Sequence, residues 1–136
     1  WHTDCAILIF DVERRVSYKN IPLWYRYVTR ACENIPIVLL GNKVDSSERK
    51  VKPKDIARFT KKKFLEYFDV SAKANYQIME PFLYLLRRLV GDPELEILEC
   101  PELESPEIEM TPEQIAKIID DTSQIPFDVQ DSDDDF

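Results

Sequence analysis

Ile37-Val38-Leu39-Leu40-Gly41-Asn42-Lys43-Val44-Asp45 joins a wholly apolar run to a polar pentapeptide. An unbroken apolar run of this kind suits a strand buried on both faces of a parallel sheet. Gly41 to Asp45 then falls on the loop leaving the C-terminal end of that strand, where open α/β sheets bind their ligands. A carboxylate there accepts two parallel hydrogen bonds from donors side by side on one molecular edge. Guanine offers such a pair at N1–H and its 2-amino group, and adenine does not. On this reading Asp45 takes the two donors, Asn42 meets a ring nitrogen, and the Lys43 stem lies across the base. The competing reading is a plain polar turn, with Gly41 at positive φ and Asp45 capping the next helix.

A second short motif, Ser71-Ala72-Lys73, follows another strand-like run, Leu65 to Val70. Two loops at the same sheet edge then converge on one pocket for a guanine base. The rest of the first 91 residues has the order β-α-β-α-β-α, with all parallel strands. Cys5 to Phe10 is the first strand, and a helix follows, starting at Asn20 with Pro22 in its first turn. Ile21, Trp24, Tyr25, Val28, Ala31 and Cys32 form its core-facing stripe. Asp55 to Phe64 is a short helix. A third runs from about Met79 to Val90, stopped by Gly91 and Pro93.

These residues resemble the Ran family of small GTPases. Asn42-Lys43-Val44-Asp45 and Ser71-Ala72-Lys73 look like the fourth and fifth motifs of small GTPases in general. The Ran family is indicated by Cys5 to Val12, by Arg15 to Pro22, and by Cys32-Glu33-Asn34-Ile35-Pro36. Arg49-Lys50-Val51-Lys52, Pro81-Phe82-Leu83, Gly91-Asp92-Pro93 and the terminal Asp133-Asp134-Asp135-Phe136 extend the likeness along nearly the whole chain. The implied fold is the C-terminal half of a small-GTPase (P-loop NTPase) doubly wound α/β sheet, followed by an acidic helical tail. By the resemblance, the Ala72 N–H meets the 6-oxo group of the base, Lys73 covers its second face, and the Ser71 hydroxyl braces Asp45. None of these residues does chemistry, so the chain carries no catalytic residue and no metal ligand.

Small GTPases cradle phosphates with a G-x-x-x-x-G-K-[ST] loop. Here the two glycines, Gly41 and Gly91, belong to no such loop, and no Asp-x-x-Gly occurs. The chain therefore reads as the C-terminal part of a Ran-like protein, lacking phosphate-binding and switch regions, and hydrolysis is not expected of it as written. One bidentate pair contributes on the order of 1.5–3 kcal/mol per hydrogen bond to a charged group, which leaves affinity near the millimolar range. The family's cofactors would be GTP and GDP with Mg²⁺. The first strand's outer edge would be bare and apolar, and the chain alone is expected to fold poorly.

Charge divides the chain. Residues 1–91 carry 17 Lys and Arg against 10 Asp and Glu, while residues 92–136 carry one against 16. The net charge of −8 thus conceals a basic portion beside an acidic tail, an arrangement that invites contact between them or with a basic partner. Three cysteines are too few for a disulfide framework or a zinc site. No run approaches a membrane span, and the C-terminus carries no cysteine for a prenyl anchor, which favours a Ran-like over a Rab-like protein.

The expected organisation is a partial GTPase domain over 1–91, a Pro/Glu-rich linker over 92–110, and a switch helix with acidic tail over 111–136. Thr111-Pro112-Glu113-Gln114 has the form of a capping box opening that helix. In the Ran family the resembling tail packs on the core in the GDP form and leaves it in the GTP form. Ile115, Ile118 and Ile119 would be the docking face, with Asp133, Asp134 and Asp135 meeting basic residues such as Lys61, Lys62 and Lys63. The resemblance implies importin- and exportin-type transport receptors, Ran-binding-domain proteins, an exchange factor and a GTPase-activating protein as partners. It implies no nucleic acid, no membrane anchor, and a place in nucleus and cytoplasm. Two other readings compete: a non-enzymatic remnant that binds Ran partners through its tail, and, more weakly, a Rab-like membrane-traffic GTPase.

Overall fold

The computed structural model describes residues 2–98 and 105–123. Three parallel strands, β1 (Ala6–Asp11), β2 (Ile37–Asn42) and β3 (Glu66–Asp69), lie in the order β1-β2-β3. In register, Ala6 faces Ile37 and Asp11 faces Asn42, while Val38 faces Glu66 and Gly41 faces Asp69. The ends of all three strands, and hence the loops that leave them, therefore meet along one edge of the sheet.

Alternation along the strands divides the core between two faces. Leu8, Phe10, Leu39 and Tyr67 point to one face, where they pack with Ile21, Val44, Val51, Ile56 and Ile118. Val38 and Leu40 point to the other, with Val70 and Leu85. Helices α2 (Ile21–Ala31) and α3 (Pro53–Lys63) contribute Ile21 and Ile56 to the first face, and α4 (Glu80–Val90) contributes Leu85 to the second. Helices on both sides of a parallel sheet are the doubly wound arrangement anticipated from the sequence.

The helix anticipated from Asn20 is preceded by a separate short one, α1 (Arg15–Lys19), and Asn20 lies between them. Trp24, placed on the core stripe by its spacing, is instead 54% exposed and packs edge-on against Tyr27. The stripe is narrower than its apolar residues suggested, with Ile21, Tyr25 and Val28 reaching the core. Helix α4 ends as expected, with Gly91 in the left-handed region at φ 79°. Helix α3 ends on a left-handed Phe64 at φ 56°, without a glycine.

The tail forms α5 (Pro112–Ser123). Its first turn is closed reciprocally: the Thr111 N–H donates to Gln114 Oε1 at 2.8 Å, and the Gln114 N–H donates to Thr111 Oγ1 at 3.2 Å. Ile118 is buried in the first core face and Ile115 is half-buried. Ile119, expected on the docking face, is 57% exposed. Positions 118 and 119 stand about 100° apart around the helix, and the contact reaches only the first of them.

Candidate functional site

The loop after β2 is held in shape from several directions. The Val44 N–H donates to the Val70 carbonyl at 3.3 Å, and the Val70 N–H donates to the Gly41 carbonyl at 2.8 Å. Further along, the Lys50 and Val51 N–H groups both donate to the Val12 carbonyl, at 2.8 and 3.0 Å. Residues 42–51 thus run from the end of β2 back to the end of β1, with Val44 and Val51 buried as anchors. The left-handed residue in this loop is Lys43, at φ 69°.

That corrects the plain-turn reading. Gly41 lies within β2 and has no positive φ, and Asp45 caps no helix, since α3 begins after Lys52. Gly41 is required for room: a Cβ there would overlap the hydroxyl of Tyr67 on the neighbouring strand.

The two motifs foreseen from sequence come together. The Ser71 hydroxyl donates to Asp45 Oδ1 at 2.6 Å, a charge-assisted hydrogen bond across 26 residues of chain. Ser71 is fully buried and also accepts the Ala74 N–H at 3.1 Å. Its backbone exchanges two hydrogen bonds with Tyr76, which closes the loop into a tight hairpin-like turn. The Ser71 contact occupies one of the roughly four acceptor positions of the carboxylate. Asp45 is thereby fixed in orientation while retaining capacity for two donors.

Asn42 and Ala72 are also joined, but differently from the expectation. The Ala72 N–H, anticipated as the donor to a 6-oxo group, donates to Asn42 Oδ1 at 3.2 Å. That distance lies at the long end of the normal range, so a carbonyl oxygen arriving there would share or replace the bond. The Asn42 amide keeps both of its own N–H donors for a ring nitrogen.

Lys43 has a partner not foreseen. Its ammonium lies 2.9 Å from Asp11 Oδ2 at the end of β1. Burial works to raise the Asp11 pKa, and the Lys43 ammonium, the Glu13 N–H and nearby Arg14 outweigh it, holding the carboxyl below its ordinary value. With the head group anchored, the Lys43 side chain spans the gap between two strand ends, and its methylenes are a surface on which a flat ring can lie. Lys73 is exposed, and its carbonyl accepts the Glu107 N–H at 2.8 Å.

The remaining expected contact residues lie elsewhere. Lys61, Lys62 and Lys63 occupy the last turn of α3, where their charge complements the helix dipole, and Lys63 sits 5.3 Å from the centre of the Tyr25 ring. Asp133, Asp134 and Asp135 fall outside the described residues. Among the described residues no three His, Cys, Asp or Glu side chains stand together to hold a metal ion.

Sequence reasoning missed Asp11 and the buried cluster behind the site. Asp69, 1% exposed, accepts two hydrogen bonds from the Arg49 guanidinium, at 2.9 and 3.1 Å, and others from the Tyr67 and Thr122 hydroxyls. A polar residue closing each of two apolar strands, Asp11 and Asp69, was the available signal.

Comparison with protein families gives a match for residues 1–91: the family model is described as the Ras family. The matched span contains both motif-bearing loops and all three strands.

Proposed function

This chain belongs to the Ras family of small GTPases, and from that premise we propose that it reads guanine within a Ran-like switch of nucleocytoplasmic transport. The observation that carries the base assignment is the Ser71–Asp45 hydrogen bond at 2.6 Å, which holds the carboxylate of one loop on the hydroxyl of the other. In this reading Asp45 accepts from N1–H and the 2-amino group, Asn42 contacts the ring, and Lys43 and Lys73 cover its two faces. Ras-family proteins bind GTP or GDP with Mg²⁺. Phosphate binding and hydrolysis need a G-x-x-x-x-G-K-[ST] loop and an Asp-x-x-Gly motif, neither of which occurs in this sequence. What these residues supply is base choice.

The Ran-like assignment rests on the Arg15 to Pro22, Cys32 to Pro36 and Gly91 to Pro93 stretches and on the acidic tail. It brings with it transport receptors of the importin and exportin type, Ran-binding-domain proteins, an exchange factor and a GTPase-activating protein. The setting would be nucleus and cytoplasm. Lys61 to Lys63 would attract Asp133 to Asp135 or an acidic partner. A second reading is a non-enzymatic module that engages the same partners through its acidic tail.

The test is a titration of the chain with guanosine and adenosine, followed through the amide resonances of Asn42, Asp45 and Ala72. Guanosine is expected to shift them in the millimolar range and adenosine to leave them in place. Asp45→Asn should transfer the response to xanthosine, because an amide presents a donor where the carboxylate accepted. Equal responses to guanosine and adenosine would overturn the assignment.

A further inference from the structure

Asp11 is the last residue of β1 and faces Asn42 across the sheet, so it stands beside the backbone that turns into Lys43. Its carboxylate is oriented by its own loop. Oδ1 accepts the Glu13 N–H at 2.9 Å. The Asp11 N–H donates to the Ser17 hydroxyl at 2.9 Å, and that hydroxyl lies 2.7 Å from the Arg14 carbonyl, to which it donates. Oδ2 is left for the Lys43 ammonium, at 2.9 Å. Local hydrogen bonds thus aim one oxygen of one carboxylate at one lysine.

Lys43 is a side chain that needs such an anchor. Its backbone is left-handed at φ 69°, a conformation that residues with a Cβ adopt at a cost. Half of its side chain is exposed to solvent, where a four-carbon stem samples many rotamers. Lysine is among the residues that lose most rotamer freedom on being ordered. A flat ring can lie on the stem only in the rotamers that carry it across the gap between the ends of β1 and β2. Asp11 selects those rotamers before any base arrives, and ordering in advance lowers the cost of binding.

We propose that Asp11 is a positioning residue for base recognition, holding the Lys43 side chain as a preformed wall of the guanine slot. This rests on the base assignment above. The ammonium is spent on Asp11, so the base meets the apolar stem. Arg14 provides the contrast. Its guanidinium is 3.9 Å from the same Oδ2, but its side chain is 78% exposed and belongs to the loop after β1. If charge beside the carboxylate were what mattered, Arg14 would count as Lys43 does; a positioning role leaves Arg14 out.

Guanosine titration of the whole chain tests this in a cycle of Asp11→Asn, Lys43→Met and the double variant. Binding is followed through the amides of Asn42, Asp45 and Ala72 and through the methylene protons of residue 43. Asparagine keeps an acceptor for the Glu13 N–H and methionine keeps an apolar stem, so each change removes the ion pair and little else. Each single variant is expected to weaken guanosine about threefold, the scale of a half-exposed ion pair. The double variant should lose no more than either single one, the non-additivity of a residue that acts through another. Stacking should shift the Lys43 methylene protons upfield in wild type, and less at equal occupancy in Asp11→Asn. Arg14→Ala should match wild type. Wild-type affinity in Asp11→Asn would overturn the proposal, as would losses that add in the double variant or an Arg14→Ala chain weakened to the same degree. A wild-type chain with no response to guanosine would instead overturn the base assignment on which the proposal rests.

Discussion

Gly41 shows how far the meaning of a residue depends on its neighbours. Its place in a polar pentapeptide suggested a turn, and its actual task is to leave room for the Tyr67 hydroxyl on its way to Asp69. Gly41→Ala should therefore destabilise the chain by about 1–3 kcal/mol through overpacking, read as a lower urea midpoint. Combining it with Tyr67→Phe should cost less than the two single changes added together, because the second removes the overlapping atom. Glu66 makes a different residue-level prediction. Burial beside Tyr84 pushes its pKa up to about 7, against the opposing pull of Arg88. The folded chain thus holds a proton that the unfolded chain releases from about pH 4.5 upward. Stability should fall as pH rises through that window to about 7. Denaturant midpoints measured on either side of the window should converge in Glu66→Gln; an unchanged slope would refute the assignment. Asp11 acts in the opposite sense and at lower pH, since its depressed pKa contributes stability that is lost only as the solution becomes strongly acid.

Individual elements were legible where local chemistry sets them. The Thr111 to Gln114 capping box and the Gly91 stop on α4 need only residues a few positions apart, and both occur as read. Strands β1 and β2 were legible because a parallel strand buried on both faces is largely apolar, while β3 mixes Glu66 and Asp69 with Tyr67 and Phe68. What local pattern could not give is which apolar residues on a helix find a partner. Trp24 and Ile119 carry the periodicity of a core stripe yet remain exposed, because only the packed neighbours define how wide the contact is. The end of α3 carries an untapped gain. Phe64 takes a left-handed backbone at φ 56° and leaves its ring 76% exposed, so it accepts the strain of that conformation without burying its side chain. Phe64→Gly should stabilise the chain by about 1 kcal/mol, measured as a raised urea midpoint, and a drop would mean that the ring contributes more than its exposure suggests.

For the whole molecule, both outer strands of the sheet, β1 and β3, are bonded on one side only among the described residues. Strand β1 is bonded only to β2, and Ile9 within it is 58% exposed. Helix α4 adds Phe82, Leu86, Leu89 and Val90 as exposed apolar residues. A bare parallel edge next to apolar surface is a template for further strands, so the chain alone should self-associate as its concentration rises. Sedimentation over a concentration series should show it, and Ile9→Lys should suppress it; a monomer at every concentration with a sharp cooperative melt would refute the idea. The sequence by itself determined the doubly wound order of elements, the positions of the Asn42 to Asp45 and Ser71 to Lys73 motifs after their strands, and the start of the tail helix, because each is written in residues that act over a single turn or strand. It also determined what these residues do not supply, a phosphate loop. Only the tertiary structure decided that Ser71 grips Asp45, that Lys43 is tied to Asp11, and that Asp69 gathers Arg49, Tyr67 and Thr122 around one buried carboxylate. Those contacts join residues 2 to 53 positions apart, and their existence depends on which strands lie side by side and where the tail comes to rest.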